Sequence, residues 1–129
     1  MCLHFLHLVI EMKYFKKQEF FCKCGCGLNI ENIDQTLIYQ LNLARKFAGV
    51  PFVINSSIRC IKHNRRVGGS PTSSHLKGFA VDIRTKNKYV KKRVLFGLKQ
   101  AGFCRIGIYK TFIHADNDPD KPCAQWKGK

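Results

Sequence analysis

Leu37, Ile38, Leu41, Ala44 and Ala48 recur at intervals of three and four, the spacing that gathers apolar side chains onto one stripe of a helix. Asp34 stands just before them, where a carboxylate can accept bonds from the free amides of a first turn, while Gly49 and Pro51 stop the pattern. A helix is therefore predicted from about Asp34 to Ala48, with Arg45 and Lys46 on its solvated side. Phe52–Ser56 is a β-branched and aromatic run, hence a strand. The stretch that follows carries Gly68-Gly69-Ser70-Pro71 and reads as a loop leading to His75. From Phe79 to Arg84 the pattern changes to alternation: Phe79, Val81 and Ile83 point one way, Ala80, Asp82 and Arg84 the other. Asn87 can cap a second helix to about Ala101, with Val90, Val94, Leu95, Leu98 and Ala101 inward and Gly102 as its end. Two strands then follow, Arg105–Tyr109 and Thr111–Asp116, joined by a tight turn at Lys110 as an antiparallel hairpin. In the second, Ile113 and Ala115 face inward, whereas Phe112, His114 and Asp116 share the other face. The tail through Asp118–Pro122 is rich in turn formers, with Trp126 packed or exposed beyond it. Helix, strand, loop, strand, helix and hairpin in this order predict an α+β fold: a small antiparallel sheet flanked by helices.

A length of 129 residues fits one domain, without space for a separate binding module beside a full core. The apolar share of 45% is that of an ordinary folded protein, which argues against disorder. The net charge of +15 reads as a solvated Lys/Arg surface or as a face for a nucleic acid, an anionic membrane or an acidic polymer, and charge alone does not choose among them. No apolar stretch is long enough for a membrane-spanning helix. Met1–Ile10 is apolar but lacks a basic flank, and Glu11 occupies the place of a small-residue cleavage site, so a signal peptide is not expected. Met12-Lys13-Tyr14-Phe15 offers an alternative start. Residues 1–11 are thus expected to be an extension and 12–129 the domain.

Seven cysteines are present, three of them in Cys22-Lys23-Cys24-Gly25-Cys26. Structural zinc sites pair cysteines in two knuckles, and the sequence shows no second knuckle. Reduced, half-buried thiols are the expected state; the alternatives are a structural zinc, or a disulfide from this cluster to Cys60 or Cys123.

Two patches carry the chemistry: Ser73-Ser74-His75-Leu76-Lys77-Gly78-Phe79-Ala80-Val81-Asp82, and His114-Ala115-Asp116. Two imidazoles and one carboxylate can form a three-ligand zinc site that leaves one position for water. Taken singly, His75 and Asp82 would be a loop histidine and an exposed strand aspartate. Together the patches resemble the signature Ser-x-His-x-x-Gly-x-Ala-x-Asp, followed by a later His, of zinc peptidases that cut peptidoglycan stem peptides. That family includes D-alanyl-D-alanine carboxypeptidases and many phage endolysins and shares its fold with the hedgehog signalling domain. Ser73, His75, Gly78, Ala80, Asp82 and His114 fill each place of the signature, and the ending His114–Pro119 with Pro122 and Trp126 looks like small phage-encoded members.

The resemblance implies a hedgehog/DD-peptidase-like fold, one catalytic Zn2+ held by His75, Asp82 and His114, and a carboxypeptidase or endopeptidase acting on peptidoglycan. Many members place a glutamate three residues before the last histidine, where this chain has Thr111. Asp116 is accordingly expected to serve as general base and acid, with orientation of His114 as the alternative. The family's arginine corresponds to Arg59, expected to bind a substrate carbonyl or carboxylate and stabilise developing negative charge. Ser73 is expected to bond within its loop or touch substrate. A monomer working at the bacterial wall or periplasm after release by lysis follows, with no nucleic-acid partner. The rival readings are a non-catalytic, zinc-containing hedgehog-like module that binds cell wall, and a nucleic-acid-binding protein built on the cysteine cluster.

Overall fold

The first helix, α1 (Gln35–Ala48), begins where the capping residue predicts: Asp34 Oδ2 accepts the Leu37 N–H at 3.0 Å, and Gly49 ends it in the left-handed conformation. Leu37, Ile38, Leu41, Ala44 and Ala48 are all buried, each large one contributing about 2 kcal/mol of apolar transfer. A computed structural model describes residues 14–128; the expected extension at residues 1–11 lies outside them. The long second helix, α3 (Lys88–Gln100), is capped by Asn87, whose Oδ1 accepts the Val90 N–H at 2.8 Å. It packs on α1, burying Val94 and Leu98, while Val90, Leu95 and Ala101 are only partly covered. Between them in sequence lies a six-residue helix, α2 (Ile61–Arg66), within the stretch expected to be loop. Its cap is Cys60, whose sulfur accepts the His63 N–H, a residue type that gives no ordinary start signal.

The sheet consists of β1 (Ile54–Ser56), β2 (Ala80–Arg84), β3 (Arg105–Ile108), β4 (Phe112–Asp116) and β5 (Ala124–Lys127), in the spatial order β1-β2-β4-β3-β5. The β1–β2, β2–β4 and β3–β4 pairs are antiparallel, as the hairpin and alternation predict. The tail differs from expectation: its residues 124–127 form an edge strand parallel to β3, so the sheet is mixed. A disulfide joins Cys104, before β3, to Cys123, before β5, and ties that edge down. The pairing of Cys123 with the Cys22–Cys26 cluster, one of the options from sequence, does not occur.

One face of the sheet carries Val81, Ile83, Ile106, Ile113 and Ala115 into the core against α1 and α3. The opposite face is crossed by a single register line. Ser56 pairs with Asp82, Asp82 with His114, His114 with Gly107 and Gly107 with Trp126. Paired residues share a face, so this line sets three polar side chains and an indole side by side away from the core.

Candidate metal centre

His75 sits in a short 3-10 turn, Ser74–Lys77, whose cap is Ser73: its Oγ accepts the His75 N–H at 3.2 Å. The turn ends at Gly78, where φ is 79° and an added Cβ would lie 2.1 Å from the Asn32 carbonyl oxygen. Gly78 is thus required twice, for its backbone conformation and for the close approach of the segment that leads into α1. The chain then enters β2, and two residues into that strand Asp82 emerges opposite His114.

The three side chains meet. His75 Nε2 lies 3.1 Å and His114 Nδ1 3.0 Å from the same oxygen, Oδ1 of Asp82. The outer nitrogen of each ring is also held. His75 Nδ1 is 2.7 Å from the Ser57 carbonyl, which can only accept, so Nδ1 carries the proton. His114 Nε2 is 2.7 Å from Asp116 Oδ2, an ionised acceptor, so it too is the N–H. Each inner nitrogen faces the same carboxylate oxygen, either as the second N–H of an imidazolium or, in a neutral ring, as a bare lone pair. With neutral rings three acceptors face one another, an arrangement completed by a cation between them. Zinc bonds of about 2.0–2.1 Å to a tetrahedral set put neighbouring ligand atoms about 3.3 Å apart, close to the spacing found. The donor set therefore fits zinc.

Burial works against charge in this cluster, and the neighbours outweigh it. Burial alone would raise the Asp82 and Asp116 carboxyls, yet hydrogen bonds to the imidazoles hold both below the usual range. Burial would lower His114, but the carboxylates of Asp116 and Asp82 raise it.

Arg59 follows β1 and reaches the same point. Its guanidinium donates to Asp82 Oδ2 at 3.1 Å, to Ser56 Oγ at 2.9 Å and to Asn64 Oδ1 at 3.2 Å. Its backbone N–H bonds the His75 carbonyl at 3.1 Å. The fork is fixed on three sides and lines the pocket with the three candidate ligands. Asp116 is almost wholly buried. Besides His114 it accepts from Arg105 Nε at 2.8 Å and the Asp118 N–H at 3.1 Å, so both carboxylate oxygens are engaged. Ser73 lines the pocket as well as capping the turn. Thr111 is not part of its wall.

Other residues were not legible as site residues. The Ser57 carbonyl has no sequence signature at all. Asp118, read as part of a turn, is buried and accepts from Ser74 Oγ at 2.7 Å, which fixes the residue before His75. Trp126 lies over Gly107, where an added Cβ would be 2.5 Å from its ring, and its centroid is 5.7 Å from that of His114. Its indole N–H donates to Tyr109 Oη at 3.1 Å, and Arg105 stacks over the ring. The only advance signal for this wall was the aromatic residue itself. The pocket bounded by Trp126, Tyr109 and Phe112 on one side and by the Gly68–Ser70 segment on the other has a volume of about 470 Å³.

A search of curated proteins finds no match to the chain. A family model does match: the one described as Peptidase M15, over residues 13–116, a span that holds His75, Asp82, His114, Asp116 and Arg59. With most of its length matched, on an α+β fold whose pocket gathers donors suited to zinc, the chain belongs to the M15 family of zinc metallopeptidases.

Proposed function

We propose that this protein hydrolyses peptide bonds in the stem peptides or cross-links of peptidoglycan, as a carboxypeptidase or endopeptidase of endolysin type acting at the bacterial wall. The observation that carries the reading is the convergence of His75 Nε2, Asp82 Oδ1 and His114 Nδ1, with the far nitrogen of each ring anchored, in an open pocket. A zinc ion held there supplies Lewis acidity, which polarises a scissile carbonyl and makes water nucleophilic near neutral pH.

The chain's own residues supply orientation and charge. Ser57 and Asp116 fix the two imidazoles in the tautomers that turn bare nitrogens inward. Arg59 presents a fixed, permanently charged fork beside the reacting position, suited to a substrate carbonyl or terminal carboxylate as negative charge develops. Arg105 and Lys121 add positive charge to the same pocket, in keeping with an acidic stem peptide. Trp126 and Tyr109 form an apolar wall for its side chains. Because Asp116 is buried with both oxygens committed, we assign it to holding His114 rather than to carrying protons to and from substrate. Among the described residues no helix is long and apolar enough to cross a membrane.

The test is digestion of purified peptidoglycan of several wall chemotypes by the zinc-loaded protein, with muropeptides identified by mass spectrometry. New amino or carboxyl termini that vanish with chelator and with His114→Ala support the reading and identify the bond. Intact peptidoglycan in every chemotype, with zinc bound stoichiometrically, would replace it by the wall-binding module.

A further inference from the structure

Four cysteines left unused by the pocket are brought together by the fold. Cys22, Cys24 and Cys26 lie in the loop before α1, and Cys60 caps α2, 36 residues beyond Cys24. All four sulfurs lie within 4.8 Å of one another. The second half of this cluster is one cysteine rather than a knuckle, which is why the sequence spacing conceals it.

The geometry separates a metal tetrad from a pair of disulfides. Cys24 Sγ is 3.5 Å from Cys22 Sγ and 3.6 Å from Cys60 Sγ, so it stands between two sulfurs and is bonded to neither. Zinc–sulfur bonds of about 2.3 Å arranged tetrahedrally give sulfur–sulfur edges of about 3.8 Å, against about 2.05 Å within a disulfide. Cys104 and Cys123, in the same molecule, are bonded. Backbone amides also converge on the sulfurs: Cys60 N–H on Cys22 Sγ at 3.5 Å, and His63 N–H on Cys60 Sγ at 3.3 Å. Such donors suit sulfur that carries negative charge. Gly25 and Gly27, with φ of 79° and 100°, turn the loop tightly enough for alternate residues to offer their sulfurs to one centre.

We propose that Cys22, Cys24, Cys26 and Cys60 bind a second zinc ion, at a structural site separate from the peptidase centre. Four soft thiolates select zinc over hard cations, and a closed tetrad leaves no position for substrate. The ion would fasten the segment before α1 to the start of α2. Arg59, the neighbour of Cys60, touches Asp82 and bonds His75 through its backbone, so the tetrad would also fix the position of the arginine fork.

The experiment is metal counting on the intact full chain by native mass spectrometry after expression with zinc. Wild type should carry two zinc ions. His75→Ala/His114→Ala should carry one, and on cobalt substitution that variant should show intense thiolate-to-metal charge-transfer absorption. Cys24→Ser and Cys26→Ser should each lose one equivalent, whereas His63→Ala should keep both. The double-histidine variant leaves every cysteine intact, so a failure of cysteine variants to fold does not block the test. No zinc in the double-histidine variant, no thiolate band in its cobalt form, or a second disulfide on non-reducing peptide mapping would overturn the proposal. Loss of metal from His63→Ala would overturn the ligand set. None of these outcomes depends on hydrolysis, so they stand apart from the peptidase reading.

Discussion

Asp118→Asn removes one charge from the joint between the metal loop and the segment leading to β5, with almost no change in shape. The Asp118 side chain has no exposed surface. It accepts from Ser74 Oγ at 2.7 Å and the Asp120 N–H at 3.0 Å, and pairs with Lys77 Nζ at 3.0 Å. Burial would raise its pKa, but these donors, led by the Ser74 hydroxyl, bring it from 3.8 down to about 2. A carboxyl depressed in the folded state contributes stability that is full above its unfolded pKa and is lost as pH falls through the folded value. With about 1.4 kcal/mol per pKa unit, Asp118 contributes about 2 kcal/mol at pH 5 and about 1 kcal/mol at pH 3. Urea unfolding of wild type and Asp118→Asn at both pH values reads this directly. Other carboxylates and any bound metal titrate in both proteins and largely cancel in the difference. A difference under about 0.5 kcal/mol at pH 5, or one that stays constant down to pH 3, would refute the argument.

Asp116→Ala should weaken zinc binding at the peptidase centre by about 10–100-fold, measured by competition with a chromophoric chelator, because His114 loses its anchor. Unchanged zinc affinity with hydrolysis abolished would return Asp116 to the role of general base and acid. Arg59→Lys should lower kcat/KM on muropeptides by about 100-fold while zinc stoichiometry holds, since an ammonium cannot reproduce the fork. Activity within a factor of two of wild type would remove Arg59 from the reaction. Gly107→Ala should displace the indole stacked on it, shifting Trp126 fluorescence and costing about 1–3 kcal/mol in urea unfolding. As Trp126 is the sole tryptophan, an unchanged emission spectrum would contradict the packing.

Much of this architecture is local and so was readable. Asp34 and Asn87 are good caps, the stripes on α1 and α3 have helical period, and alternation placed Asp82 and His114 on the face away from the core. What escaped depends on contacts distant in sequence. Leaving His63 aside, α2 has three charged residues among its six, with a cysteine for a cap, and its pattern contains no apolar stripe. β5 is short and exposed; parallel pairing to β3 and the Cys104–Cys123 bond define it, and neither is written in its own residues. The partner of the Cys22–Cys26 loop is likewise set by where α2 begins. In the site, the ligand triad was legible from its motif, while the Ser57 carbonyl and the enclosure of Asp116 by Arg105 and Asp118 required the fold.

The line from Ser56 through Asp82, His114 and Gly107 to Trp126 makes metal capture a test of correct strand pairing. A slip of one residue between β2 and β4 would turn a ligand strand over and carry its imidazole or carboxylate into the core side. Such a mispaired chain could not assemble the triad, so zinc binds only the correctly threaded sheet. At 100 times its dissociation constant the ion would favour that arrangement by about 2.7 kcal/mol over every slipped one. The centre that would perform hydrolysis thereby also proofreads the fold that holds it.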